Sequence, residues 1–461
     1  MPITRRTLLT TAAASMARPL PGAQRPNVLF LIADDLNTDV GCYGLPAVKT
    51  PHLDRLGARG VRFDRAYCQY PLCNPSRTSF LSGLRPETSR VFDQGTVLRK
   101  QDPKVEFLPD FFRRHGYFVA GAGKIFHQGN PNAAGFDVWE AAETSSDEEA
   151  AASKRRYAHA EGDRTPDWAV INGAEDSTAD AIAVRKVTGW MEKSSSQGQP
   201  FFLTAGFRKP HLPWAVPKRY FDLYPKVDVP DEPPVHGIPA AALVTELGAS
   251  RPPEPRWQAV AAYRAAVSYM DAQAGKILAD LDRLKLREST IIVMIGDNGF
   301  HLGDHHLWSK HTLFERATRV PMIMAGPGVR ARKACARTTE LLDIYPTLVE
   351  LAGLPAPRHL QGASLVPLLR QPDAKWDRPA RSVVQREGVF GRAIRTERWR
   401  YVEWNGGKEG SELYDHKEDE GEYKNLAGDP VHAGTVRSLR ALLGRSDGSG
   451  KAGQGSIPEP G

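Results

Sequence analysis

The sequence predicts an α/β fold built on a large, mainly parallel sheet, and three observations carry the prediction. Short continuous apolar runs at residues 27–33 (NVLFLIA) and 290–295 (TIIVMI) read as strands buried on both faces. Segments with helical apolar spacing lie between such runs, at residues 177–193 and 257–286. Strand and helix alternate, which is the pattern of crossover units that cover both faces of a sheet.

Taken in order, the run at 27–33 ends on Asp34-Asp35, polar residues at the C-terminal end of a buried strand. Thr50 followed by Pro51 reads as an N-cap and first helical residue, opening a helix to Arg59. Residues 107–115 read as a helix stopped by Gly116, and 117–123 as a strand. Residues 177–193 carry Ala183, Val187, Trp190 and Met191 at helical spacing. A strand at 200–207 precedes the long amphipathic helix at 257–286. The strand at 290–295 ends at Gly296-Asp297-Asn298, and a strand at 320–325 and a helix at 341–352 follow. QPDAKWDRPARS, from residue 371, has the composition of a linker. Beyond it, residues 382–404 and ELYD at 412–415 read as a small antiparallel sheet. The expected organisation is an export signal at 1–24, a main domain at 25–372, a C-terminal subdomain at 373–445 and a disordered Gly/Ser/Pro-rich tail at 446–461. Residues 143–165 are polar, charged and Ala-rich, and read as a surface loop or an insertion.

Of the 461 residues, 41% are hydrophobic, enough for a sizeable core, and the net charge is +7. A basic balance favours anionic partners. There is no zinc-finger spacing, RNA-binding sheet motif or long Lys/Arg block, so no nucleic-acid partner is expected. At the N-terminus, Arg5-Arg6 precedes a weakly apolar run at 8–17, with small residues at Ser15 and Ala17. That is the layout of a secretory signal, and the arginine pair favours twin-arginine export. The run is about half of the ~20 residues a bilayer span needs, so no membrane span is expected. The expected location is exported, periplasmic or extracellular. The four cysteines, Cys42, Cys68, Cys73 and Cys335, are too few for a disulfide framework, although an exported protein allows bridges that spare Cys73.

Chemistry-bearing residues gather at predicted strand ends, where α/β sheets carry their sites. Asp34, Asp35, Asp297 and Asn298 are oxygen donors that suit a hard divalent cation, calcium or magnesium. Lys124 and His127 follow the strand ending at Gly123, His211 follows the strand at 200–207, and Lys310 lies in DNGFHLGDHHLWSK. Singly, each is an ordinary surface charge or structural histidine. Together with Arg77 they would surround a tetrahedral anion. Cys73 opens CNPSR, which reads as a helix start with Pro75 at the first position and Ser76-Arg77 in the first turn. A thiol there is expected to have a depressed pKa from the helix N-terminus and Arg77. On residues alone, a Cys/His hydrolase also remains open.

CNPSRTSFLSG at 73–83 resembles the signature of the type I sulfatases, C-x-P-S-R with a Gly six residues after the Arg. NVLFLIADDL, GKIFH, RKPHLPW, DNGFHLGDHHLWSK and the C-terminal ELYD…NLA run are similar to that family in order and chemistry. Within it, LRPETSRVFD, GKIFH and KPHLPW look most like the iduronate-2-sulfatase group. The resemblance implies an alkaline-phosphatase-like sandwich. It implies that a formylglycine-generating or sulfatase-maturating enzyme oxidises Cys73 to formylglycine, an aldehyde whose hydrate attacks sulfur. It also implies Asp34, Asp35, Asp297, Asn298 and the modified Cys73 as calcium ligands. Arg77 and Lys124 would hold the hydrate and sulfate oxygens, and His127 would be the base that releases sulfate. His211 and Lys310 would bind the sulfate and protonate the leaving oxygen. Arg90 matches a position that the group uses for a substrate carboxylate. The implied activity is hydrolysis of sulfate esters on a sulfated carbohydrate, possibly 2-O-sulfated uronate. Asn298 departs from the His frequent in that group, Ser82 replaces a frequent Thr, and Phe300 stands for Trp, which weakens the sugar assignment. The alternatives are a phosphoester or phosphonate monoester hydrolase on the same fold, or a non-catalytic polyanion-binding protein.

Overall fold

The strand β1 (Asn27–Asp34) is fully buried, and its side chains divide between two cores. Leu29, Leu31 and Ala33 enter one, while Val28, Phe30 and Ile32 enter the other. Alternate Cβ atoms point to opposite faces of a sheet, so a strand covered on both sides has to be apolar throughout. The computed structural model describes residues 25–127, 135–141, 168–229, 231–244, 255–386 and 388–444. The expected export signal at 1–24, the polar segment at 143–165 and the tail at 446–461 lie outside the described residues.

Seven further strands complete the main sheet: β2 (Val61–Tyr67), β3 (Phe118–Gly123), β4 (Val138–Glu140), β5 (Phe201–Pro210), β6 (Thr290–Gly296), β7 (Arg319–Ala325) and β8 (Lys333–Glu340). Their order is β8-β2-β7-β6-β1-β5-β3-β4. All neighbours pair in parallel except β7, which runs antiparallel to both β2 and β6. Helices α1 (Pro51–Arg59), α2 (Cys73–Ser82), α3 (Leu108–Arg114), α4 (Ala179–Gln197), α5 (Arg256–Arg283) and α6 (Ile344–Leu351) cover the two faces. Side chains of α1, α4 and α5 fill one core; those of α2, α3 and α6 fill the other.

A second sheet is an antiparallel meander of β9 (Ala380–Arg386), β10 (Val389–Arg395), β11 (Trp399–Trp404) and β12 (Ser411–Asp415). The helix α7 (Ala433–Leu443) packs on it through Leu439 and Leu443. Strand β9 lies against the segment that leads into α2. Ser382 Oγ donates to the Cys68 carbonyl at 2.5 Å, and Val383 N donates to the Gln69 carbonyl at 2.9 Å.

Several expectations need correction. Helix α2 begins at Cys73 itself, with Leu72 as N-cap, so Pro75 is its third residue. Thr50 does cap α1 in sequence, but its hydroxyl accepts from Gly41 N and donates to Asp54. Strands β2 and β8 and helix α7 were absent from the sequence reading. All four cysteines are free thiols.

Candidate active site

The four central parallel strands β6, β1, β5 and β3 bring their C-terminal ends together, and the site forms there. Asp34 closes β1, Lys124 follows β3, His211 follows β5, and Asp297-Asn298 follow β6. Close backbone approach is built into this edge. Gly123 and Gly206 face each other, and a Cβ on either would collide with backbone of the other strand's end. That proximity lets Lys124 N donate to the Gly206 carbonyl at 2.7 Å. Asp180, at the start of α4, accepts from the backbone N–H groups of Arg208 and Lys209 at 2.6 and 3.1 Å, which fixes the strand end ahead of His211.

Helix α2 carries Cys73 and Arg77 into this edge. It is buried along its whole length. Arg77 directs four of its five donors to protein acceptors. Nε donates to Asp297 Oδ2 at 2.7 Å and Nη2 to Asp34 Oδ1 at 3.2 Å. Nη1 donates to the Lys124 carbonyl and, at 3.1 Å, to that of Ile125. One guanidinium thus ties together the ends of β1, β6 and β3. Ser76 Oγ adds a bond to the Asp297 carbonyl at 2.5 Å.

The Cys73 thiol stands where carboxylates and cations meet. Its Sγ is 3.3 Å from Asp34 Oδ1 and 4.0 Å from Asp35 Oδ1. Lys310 Nζ and Lys124 Nζ donate to it at 2.9 and 3.6 Å. The same two ammonium groups pair with Asp35 and Asp34 respectively. His211 Nδ1 donates to the Leu212 carbonyl at 2.6 Å, which turns Nε2 toward Asp34 and Asp35 at 4.0 and 3.8 Å. His127 is half-buried, and its buried Nδ1 has no hydrogen-bond partner among the described residues.

Electrostatics separate the three carboxyl groups. Burial pushes Asp34 upward, but Lys124, His211, Arg77 and Lys310 together hold it well below the usual carboxylate range. Burial, reinforced by Asp34, raises Asp35 against the pull of Lys310. Asp297 is pushed up to about 7 by burial, Arg77 opposing and the two neighbouring aspartates adding. The Cys73 thiol was expected to be acidified, and the opposite holds. Burial and the adjacent Asp34 raise its pKa, outweighing Lys124 and Lys310. His127 is lowered to about 4 by burial and by Lys124, so its imidazole is neutral near pH 7.

The donor set fits a hard divalent cation. Asp34, Asp35 and Asp297 offer oxygens within 4.8 Å of one another, all buried. Asn298 Nδ2 donates to Asp35 Oδ1 at 2.8 Å and to the Gly299 carbonyl at 2.9 Å, while its buried Oδ1 meets no donor among the described residues. An acceptor left so costs about 1–3 kcal/mol unless something positive meets it. Crowded carboxyl groups with raised pKa values are likewise relieved by a dication, and oxygen-only donors suit calcium or magnesium.

Ten of the eleven residues singled out in the sequence converge here: Asp34, Asp35, Cys73, Arg77, Lys124, His127, His211, Asp297, Asn298 and Lys310. Arg90 does not join them through any hydrogen bond or ion pair among the described residues. It is exposed, in the left-handed conformation (φ 58°) after a single helical turn at Pro86–Ser89. Sequence reasoning missed the supports: Asp180, the Ser76 bond to Asp297, and Asn37. Asn37 donates from Nδ2 to the Phe300 carbonyl at 2.9 Å and caps Asp39 N at 2.8 Å. Ser76 lay inside the quoted motif; Asn37, two residues beyond Asp35, was readable only as a turn residue.

The comparisons agree with this geometry. The sulfatase family model matches residues 26–354, and the model for the C-terminal region of N-sulphoglucosamine sulphohydrolase matches residues 303–447. A sulfatase of Formosa agariphila is 32% identical over 92% of this chain and 87% of its own length. The iduronate 2-sulfatase of Mus musculus is 29% identical over 90% of this chain and 93% of its own. A solved structure of a 2-O GAG sulfatase superposes with a TM-score of 0.70 at 26% identity, covering 91% of each chain. No helix among the described residues is long and apolar enough to cross a membrane. The chain belongs to the sulfatase family and is a sulfuric ester hydrolase.

Proposed function

We propose that this sulfatase removes sulfate from a sulfated carbohydrate, with 2-O-sulfated uronate as the preferred class, using formylglycine derived from Cys73 and a calcium ion. The observation that carries the reading is the surroundings of Cys73 Sγ, which has Asp34 Oδ1 at 3.3 Å on one side and Lys310 Nζ at 2.9 Å on the other. A raised thiol pKa makes an unmodified Cys73 a poor nucleophile, which argues against the Cys/His hydrolase. Formylglycine at position 73 would supply, as its hydrate, a hydroxyl nucleophile for sulfur and a second hydroxyl for the release of sulfate, and a cation held by Asp34, Asp35, Asp297 and Asn298 would supply positive charge to that chemistry.

The chain's own residues do the rest. Asp34, Asp35, Asp297 and the unpartnered Asn298 Oδ1 hold the cation. Arg77 fixes Asp34 and Asp297 and keeps one N–H for an oxygen at Cys73. Lys124 and Lys310 neutralise the sulfate oxygens as charge shifts during transfer. His211 Nε2, turned toward Asp34 and Asp35, and Lys310, beside Cys73, bind the sulfate and donate to the leaving oxygen. His127, neutral near pH 7, accepts the proton whose removal releases sulfate. Arg90, exposed beyond α2, meets the uronate carboxylate. The uronate assignment draws on the iduronate 2-sulfatase and the 2-O GAG sulfatase, both named for 2-sulfated substrates. The Arg5-Arg6 signal layout supports export to the periplasm or medium after maturation by a formylglycine-generating enzyme.

The test is a comparison of kcat/KM on unsaturated uronate disaccharides sulfated at O2 with glucosamine sulfated at O6 or N, alongside an aryl sulfate and the matching aryl phosphate. Mass spectrometry of the Cys73 peptide runs in parallel. Preference for the 2-O-sulfated uronate by at least tenfold, about 1.4 kcal/mol, is expected. Equal turnover of 6-O-sulfated glucosamine would sink the uronate assignment, and an intact thiol in active protein would sink the formylglycine.

A further inference from the structure

Asp35 is the one candidate ligand held in a left-handed backbone conformation (φ 60°). Aspartate tolerates that geometry better than most side chains, but a non-glycine residue there still costs on the order of 1 kcal/mol or more, so the surroundings help to hold it. The conformation matters for the site. It aims Asp35 N at Asp297 Oδ1 (3.0 Å) while the Asp35 carboxylate meets Asn298 Nδ2 and Lys310.

The clamp comes from α5, on one face of the sheet. The Tyr263 hydroxyl donates to the Asp35 carbonyl at 2.8 Å and accepts from Asn37 N at 2.9 Å. It therefore bridges the two peptide groups that follow the left-handed residue, and its hydrogen has a fixed direction. The ring is fully buried and stacks on Phe300, with centroids 5.9 Å apart and planes 19° from parallel. Trp214 packs edge-on to both rings at 5.8 and 6.0 Å. The backbone of Phe300 is in turn held by Asn37 Nδ2. Phe300 follows Asn298 by two residues and Trp214 follows His211 by three, so this aromatic cluster joins three site-bearing segments.

We infer that Tyr263 is a positioning residue for the cation site: its hydroxyl locks the Asp35 turn and so sets the affinity for calcium. The inference rests on the calcium reading given above. Among the described residues the Tyr263 hydroxyl bonds to Asp35 and Asn37 and not to Cys73, so it acts through the turn.

Tyr263→Phe removes the hydroxyl and keeps the ring. Tyr269→Phe is the matched control, because Tyr269 lies on the same helix, is equally buried, and bonds through its hydroxyl to Thr178, the N-cap of α4, instead of to the Asp35 turn. Calcium affinity is measured by isothermal titration of chelator-treated protein, with melting temperature and turnover of an aryl sulfate at varied calcium beside it. In Tyr263→Phe the calcium Kd should rise about tenfold, the lower end for groups that orient metal ligands. The calcium needed for half-maximal kcat should rise by the same factor, and saturating calcium should restore most of kcat. Tyr269→Phe should lower the melting temperature without moving the calcium Kd. Equal calcium Kd values for Tyr263→Phe and the unaltered protein would overturn the inference and leave the calcium reading intact. Unaltered protein that binds no calcium would overturn both.

Discussion

A thiol with no exposed surface is wedged between Asp34, Lys124 and Lys310, and everything about Cys73 follows from that confinement. Burial raises its pKa, so the bare thiol is a poor nucleophile near pH 7. Cys73→Ala should lose turnover by more than a thousandfold, the order seen when a nucleophile is removed (~10³ or more). The fold should survive, because Ala fills the first helical position well and only one sulfur is lost, a cost of about 1 kcal/mol. Circular dichroism and a melting curve, beside an aryl sulfate assay, check both halves. A variant with substantial remaining activity would mean that the nucleophile lies elsewhere.

Among elements, the loop from β6 to β7 is the most constrained. His305, His306, Ser309 and His311 all have positive φ, flanking Lys310. Two of the loop's histidines, His301 and His311, are neutral near pH 7. Burial lowers His301 to about 3, with its Nε2 on Thr312 Oγ1 at 2.8 Å; burial together with Arg386 lowers His311 to about 3. The unfolded chain protonates these rings near pH 6.5, and the folded chain resists to about pH 3. Between those values the unfolded state binds protons that the folded state refuses. Stability is therefore intact above pH 6.5 and lost as pH falls toward 3. His301→Gln should reduce the loss of unfolding free energy between pH 7 and pH 5 by about 2 kcal/mol, read from urea curves at each pH. Strands β1 and β6 were legible because both faces are buried and every residue from 28 to 33 and from 291 to 295 is apolar. Strand β2 breaks its apolar positions with Arg62, Asp64 and Arg65, and β8 is an edge strand with exposed Lys333, so neither offers that signal. The site was legible because its charges sit at strand ends, whereas Tyr263 hides among the alanines of α5. The thiol pKa had the wrong sign in sequence reasoning because helix position and Arg77 were visible there, and burial beside Asp34 was not.

At the scale of the molecule, two sheets are pinned by one buried ion network. Arg400 on β11 pairs with Glu422 and Glu315 and donates to the Leu313 carbonyl at 2.9 Å. Tyr67 of β2 donates to Glu315 Oε1 at 2.9 Å, and His416 Nε2 lies 2.9 Å from Glu422 Oε1. The two carboxylates already have their cations, so the cluster reads as a structural joint. Arg400→Met should strip both buried carboxylates of the cation they share, leaving Glu315 with Arg395 and Glu422 with His416, and cost about 3–5 kcal/mol, measured by urea unfolding. A loss under about 1 kcal/mol would show that the joint is not what holds the sheets together. The brace that β9 lends to the lead-in of α2 has a consequence in time. Ser382 and the Cys68 carbonyl it grips are separated by 314 positions. At about 5–20 residues per second, synthesis of that stretch takes roughly 15–60 s. Through that interval the chain around Cys73 lacks its last support. Any enzyme that must reach the buried sulfur therefore has a deadline, set by how long a ribosome takes to make the far end of the protein.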